Sequence, residues 1–229
     1  MAQLYTMEKR GDTMIILFDL DGTLIDSTEA ILESFHNSFR VHNFKAPKDE
    51  SIEALIGYPL DEMYRELGVE ESRVWDFVAT YKEHYREIST QKTVLLPFAK
   101  EAVEEASKIA TLAIVTTKTG KYSQVLMEHF GLMNFFEVLI GREDVEKPKP
   151  DAEPILKALE SLKSEDSDIW MIGDTKLDLL SAKNAGVNAI GVESGYDTKE
   201  TLELYTEHIC SDALEAIKEL KSRKKLHNS

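Results

Sequence analysis

Two rhythms of apolar and polar positions run along this chain. Five short runs are made mostly of apolar or β-branched residues: 14–18 (MIILF), 112–116 (LAIVT), 136–140 (FEVLI), 168–172 (DIWMI) and 188–192 (NAIGV). A run of this length with no regular polar position reads as a strand buried on both faces. Between the last four runs the apolar residues recur at three- and four-residue spacing. Val125, Leu126 and His129 lead to Gly131, and Ile155, Leu156, Leu159 and Leu162 follow Pro154. Proline suits a helix start and glycine a helix end, so both stretches read as helices. Strand, helix and strand repeated in this way predict an α/β protein with a Rossmann-like, doubly wound parallel sheet. A sixth short strand is expected around Ile209.

The interval between the first two runs breaks the rhythm. Ile31, Phe35 and Phe39 share one helix face, and Val74, Phe77, Val78, Tyr81, Tyr85 and Ile88 share another, with no strand pattern between them. Residues 27–94 therefore read as an inserted all-helical unit, and residues 1–26 and 95–229 as the α/β core. Asp26 to Thr28 offer caps for the first inserted helix, and Val94 to Pro97 mark the return. Trp75 and Trp170 are expected to pack in the core.

Composition narrows the partners. A chain of 229 residues with 42% hydrophobic content can fill a large core. The formal net charge of −15 disfavours nucleic acid and anionic membrane surfaces, which attract basic faces. No apolar run approaches the roughly 20 residues that span a bilayer. One cysteine, Cys210, forms no internal disulfide, and residues 1–13 lack the basic start and apolar block of a signal peptide. A cytoplasmic protein, monomeric or homodimeric, is expected. The six histidines show no metal-ligand spacing, and the basic tail KSRKKLHNS reads as a helix end whose charges suit the helix dipole.

Candidate chemistry sits where a doubly wound sheet binds ligands, beyond the carboxyl ends of its strands. The first strand ends in Asp19 and Asp21, whose like charges need a neutralising partner. The second ends in Thr116, Thr117 and Lys118. The loop after the third carries EKPKP, with Lys147 and Lys149, and the fourth ends in GDTKLD, with Asp174 and Asp178.

This constellation resembles the haloacid dehalogenase superfamily of phosphohydrolases, in the branch with a helical cap inserted after the first motif. DLDGT (19–23) is similar to the family's first motif, Thr116 to its second, Lys147 within KPKP to its third and GDTKLD (173–178) to its fourth. The resemblance implies that Asp19 attacks phosphorus to form an aspartyl phosphate, and that Asp21 protonates the leaving oxygen and later activates water. It also implies magnesium on the carboxylates of Asp19 and Asp174 and the main-chain carbonyl of Asp21. Lys147 is favoured over Lys149 because it directly precedes the Pro-x-Pro step; Lys149 is read as a loop charge and Lys118 as pointing to solvent. Gly22, Thr23 and Thr117 are assigned to the phosphate cradle, although Thr117 stands where relatives often carry asparagine. Tyr58 in GYPL (57–60) and nearby Arg65 are assigned to the substrate from the cap.

Phosphoryl transfer asks for these residue types on its own account. A carboxylate can approach an anionic ester only if a hard dication and an ammonium offset the charge. Magnesium prefers oxygen ligands. Residues two apart on an extended segment share a side, so Asp19 can attack while Asp21 reaches the leaving group. Thr116 offers a hydroxyl and the start of a helix to the equatorial oxygens. Asp178, one turn beyond Asp174, is placed to orient the metal's waters or to brace Lys147.

The expected activity is magnesium-dependent hydrolysis of a small phosphorylated metabolite, with 2-phosphoglycolate, implied by the resemblance, in first place. The alternatives are a sugar phosphomutase of the same branch, a pyrophosphatase or nucleotidase, and a non-enzymatic phosphate-responsive module. The inserted cap and the complete acid/base pair argue against the last.

Overall fold

The structure is a computed structural model that describes residues 14–163 and 168–227. Residues 1–13, read above for a leader, and the last two of the basic tail lie outside the described residues.

The first run folds as β1 (Met14–Phe18), buried at every position. The chain then forms β2 (Ile25–Asp26), four helices α1 (Thr28–Val41), α2 (Asp49–Glu53), α3 (Leu60–Glu66) and α4 (Val74–Lys92), and β3 (Val94–Leu95). The remainder alternates: α5 (Ala99–Ala106), β4 (Ala110–Val115), α6 (Gly120–His129), β5 (Phe136–Ile140), α7 (Glu153–Leu162), β6 (Ile169–Gly173), α8 (Lys176–Ala185), β7 (Asn188–Val192), α9 (Lys199–Leu202), β8 (Ile209–Cys210) and α10 (Ala213–His227).

Six strands make one parallel sheet in the order β5-β4-β1-β6-β7-β8. The α/β fold with a doubly wound sheet is what the apolar runs implied, and β8 supplies the short sixth strand. The central strand has to be apolar on both faces because helices cover both. Ile16 and Phe18 pack with Val103 of α5 and Ile217 of α10, whereas Ile15 and Leu17 pack with Ile155 of α7 and Ala182 of α8. The two-residue period of a strand divides one run between two cores. Within the alternating part, β4 starts and ends earlier than the apolar run suggested and β6 sits one residue later, which places Thr116 and Asp174 just outside their strands.

Helices α1 to α4 enclose a separate aromatic core. Phe35 lies against Tyr64 with ring centroids 4.6 Å apart, and Phe39 meets Phe77 edge-on at 5.1 Å. Offset and edge-on pairs of this kind gain more than their buried area alone. Trp75 corrects the expectation of a core tryptophan. It is 59% exposed, because Val74, Phe77, Val78, Tyr81 and Tyr85 occupy the inward stripe of α4 and the next residue along is turned about 100° away. Trp170 is buried as expected.

One short element escaped the sequence pattern. β2 and β3 pair antiparallel, Ile25 with Leu95 and Asp26 with Val94, and two residues are too few for a periodic signal. Together they form a stem through which the helical unit leaves and rejoins the sheet.

Candidate active site

Asp19 follows β1 directly. Its backbone N–H donates to the Ile172 carbonyl at 3.0 Å, so the β1–β6 ladder extends by one residue and holds Asp19 at the sheet's edge. The chain then coils: the Leu20 carbonyl accepts from the N–H groups of Thr23, Leu24 and Ile25. Gly22 takes φ +79° within this turn, a backbone conformation that costs a side-chain-bearing residue about 1 kcal/mol or more. The turn brings Asp21 back over the strand end.

The buried lysine is Lys149, and this corrects the choice of Lys147. Lys149 is 3% exposed, with Nζ 2.9 Å from Asp19 Oδ1, 2.5 Å from Asp178 Oδ1 and 3.1 Å from the Val115 carbonyl. Lys147 is exposed. Its backbone N–H and that of Glu146 both donate to the Glu153 carboxylate, at 2.9 and 2.8 Å. Glu153 thus pins residues 146 and 147 at the surface in front of α7, and the chain turns inward only two residues later. Burial alone would lower the Lys149 ammonium, but Asp178 and Asp19 outweigh it and hold its pKa above the usual lysine range.

Asp178 braces this lysine, not Lys147, while its Oδ2 accepts from the Thr175 N–H (3.0 Å) and hydroxyl (2.7 Å) to cap α8. Asp174, fully buried, accepts from the Thr23 hydroxyl at 2.9 Å on Oδ1 and from the Tyr196 N–H at 2.9 Å on Oδ2. Gly22 and Gly195 press against it: a Cβ at either position would stand 2.2 or 2.0 Å from Asp174 Oδ2. In this structure Gly22 and Thr23, expected in the phosphate cradle, pack against Asp174 and hold it. Tyr196 and Gly195 lie just after β7 in ESGYD, where the strand-end rule applied once more would have found them.

Thr116 is buried, its N–H donating to the Ile140 carbonyl and its hydroxyl accepting from the Lys118 N–H at 3.2 Å. The Thr117 hydroxyl donates to the Gly57 carbonyl of the helical unit at 2.8 Å, a bond between the two units. Lys118, read above as pointing to solvent, is corrected. It is buried, with Nζ 3.0 Å from Asp21 Oδ2 and 3.0 Å from the Tyr85 hydroxyl. Asp21 accepts on its other oxygen from the Ser27 hydroxyl. No apolar or charge pattern around residue 118 announced this, because its partners come from sequence positions far away.

Between the two units lies a cavity of about 250 Å³ that includes Tyr58 and Asp21 in its lining. Arg65 does not line it. Its guanidinium is spent on Asp61 (2.7 Å) and Glu71 (2.6 Å) on the outside of α3, which corrects its assignment to the substrate.

Three buried carboxylates crowd the end of the sheet. Oxygens of Asp19, Asp174 and Asp178 lie within 4.8 Å of one another, all buried. Burial first, against the opposing pull of Lys149, raises the Asp19 pKa to about 7. Burial and then the neighbouring Asp178 and Asp19 raise Asp174 well above the carboxylate range. Asp19 Oδ1 is buried beside the Lys149 ammonium at 2.9 Å. Buried carboxylates this close together offer the oxygen donors that fit a hard dication such as magnesium. Lys149 reaches Asp19 and Asp178 of this set, while Asp174 is held by the Thr23 hydroxyl and the Tyr196 N–H.

The chain matches the family model of haloacid dehalogenase-like hydrolases over residues 16–192. It is 38% identical over 178 residues to pyrophosphatase PpaX of Halalkalibacterium halodurans, covering 75% of this chain and 80% of that protein. It is 32% identical over 210 residues to the probable phosphatase IndB of Dickeya dadantii, covering 89% and 91%. Among solved structures, a haloacid dehalogenase-like family hydrolase from Streptococcus pneumoniae superposes with a TM-score of 0.81 at 26% identity, over 91% of this chain and 98% of that one.

Proposed function

Because the chain belongs to the haloacid dehalogenase-like hydrolases and is a phosphatase, we propose that it releases phosphate from a small phosphorylated metabolite through an aspartyl-phosphate intermediate on Asp19. The observation that carries this reading is the meeting of Asp19, Asp174 and Lys149 at one strand-end rim.

The roles follow from position. A carboxylate oxygen of Asp19 attacks phosphorus while the bond to the leaving oxygen breaks, and that oxygen takes a proton from Asp21. Asp21 then removes a proton from water, which attacks the acyl phosphate and returns Asp19 as a carboxylate. Lys149 and the Thr116 hydroxyl face the charge that develops on the phosphoryl oxygens. Asp178 keeps Lys149 in place. Magnesium held by Asp19 and Asp174 would lower the charge repulsion between nucleophile and ester.

Replacing Asp19 with Asn tests this directly. Phosphate release should fall below about one thousandth of the parent's while circular dichroism stays unchanged, and larger residual turnover would remove Asp19 as nucleophile. A second reading, hydrolysis of pyrophosphate, is supported by the similarity to PpaX. Rates on 2-phosphoglycolate and pyrophosphate measured side by side separate ester from anhydride cleavage, and stoichiometric isomerisation of a sugar phosphate without release of free phosphate would indicate a mutase.

A further inference from the structure

The cavity between the two units is walled on one side by aromatic residues. Of the three strand-end acids Asp19, Asp21 and Asp174, only Asp21 lines it. It therefore lies on the side of the group that protonates the leaving oxygen, beyond the side where phosphorus is attacked. One wall is a face of α4, Trp75, Val78, Tyr81 and Tyr85, and Ile31 and Ile56 stand with it. Those α4 residues recur at three- and four-residue spacing, so the helix turns a largely apolar and aromatic surface toward the space, with Lys82 beside it. Trp75, exposed on α4, is a lining residue as well. Arg142 also lines the cavity, and its Nε is buried without a hydrogen-bond partner.

The cationic lining residues Lys82, Lys118 and Arg142 are matched in number by Asp21, Asp61 and Glu143, so the lining holds no surplus positive charge for a second anion such as glycolate or phosphate. A ring gains there by burial and stacking. We propose that the cavity receives the leaving group and that the preferred substrate is the phosphate monoester of an alcohol with a flat apolar body, an aryl or heteroaryl ring. This rests on the phosphatase reading above. The chemistry is unchanged: the P–O bond to the ring-bearing alcohol breaks, a bond from Asp19 to phosphorus forms, and the alcohol leaves with the proton from Asp21.

The test compares benzyl phosphate with ethyl phosphate, whose alcohols are of similar acidity, alongside 2-phosphoglycolate and pyrophosphate, all with magnesium. Benzyl phosphate should show kcat/KM at least about tenfold above ethyl phosphate, the factor that burial of one phenyl ring supports. Trp75→Ala should lower that ratio severalfold. Binding is read without turnover from tryptophan fluorescence. Benzylphosphonate should change the emission, ethylphosphonate at the same concentration should not, and Trp75→Phe should abolish the change, Trp170 being buried away from the cavity. If ethyl phosphate, 2-phosphoglycolate or pyrophosphate matches benzyl phosphate, the inference is overturned and the phosphatase stands. If none of them releases phosphate, the phosphatase reading fails, and the fluorescence titration alone decides whether the cavity takes a ring.

Discussion

The Lys118 ammonium stands 3.0 Å from Asp21 Oδ2 and 3.0 Å from the Tyr85 hydroxyl, so a single cation joins Asp21 of the core to the longest helix of the inserted unit. Burial opposes that charge, yet Asp21 and Tyr85 more than compensate and hold the Lys118 pKa above the usual range. Lys118 is a positioning residue for Asp21. Lys118→Met should lower kcat on an alkyl phosphate by about ten- to a hundredfold, part of what general acid catalysis contributes. On an aryl phosphate with an acidic phenol the loss should be much smaller, because that leaving group needs no proton. Equal losses on both would show that Lys118 acts elsewhere.

The two lysines of EKPKP should separate cleanly. Lys149→Ala leaves Asp19 and Asp178 buried without their cation, so unfolding free energy should drop by about 3–5 kcal/mol and kcat by about a hundred- to a thousandfold. Lys147→Ala removes a solvated charge and should stay within about twofold of the parent in kcat and about 0.5 kcal/mol in stability. Denaturant titration and phosphate release check both.

Magnesium should stabilise the protein more at pH 8 than at pH 5.5. With a pKa raised to about 7 in the folded state, Asp19 keeps a proton there that the unfolded chain, with a value of about 4, has already lost. The unfolded state binds fewer protons across that window, so the metal-free protein loses stability as pH rises from about 4 to 7. Bound magnesium takes the proton's place and removes the penalty. Differential scanning fluorimetry at both pH values should show the larger magnesium-induced rise in Tm at pH 8, and Asp19→Asn should flatten the difference.

Gly195 is a packing requirement of Asp174. A Cβ at that position would overlap Asp174 Oδ2 at 2.0 Å and its Cγ at 2.3 Å, and the carboxylate has no room to retreat because Thr23 and the Tyr196 N–H hold it. Gly195→Ala should weaken magnesium binding, read by calorimetry, at least tenfold, comparable to the loss of an outer partner of a metal ligand. Gly131→Ala, with open space at its Cβ but a positive φ, should cost stability alone and leave magnesium affinity intact.

The core was legible because each central strand is apolar on both faces, as in Met14–Phe18, and because strand ends are where such a sheet can hold a ligand. Asp19, Asp21, Thr116 and Asp174 could be named from that rule. Lys149 could not be told from Lys147, since both precede proline and the deciding contact is made by Glu153 several residues on. Lys118 was misplaced for a related reason: its partner Tyr85 belongs to the other unit, as does Gly57, the partner of Thr117. Spacing along a chain reports on an element's own faces. It is silent about which distant element closes over them.

The two-residue ladder of Ile25–Asp26 with Val94–Leu95 has an evolutionary corollary. Both junctions of the insertion emerge side by side, so the chain between them can be lengthened, shortened or exchanged without moving β1 or β4. The aromatic wall of the cavity travels with that exchangeable module, while the wall built by Lys118 and Arg142 stays with the sheet beneath.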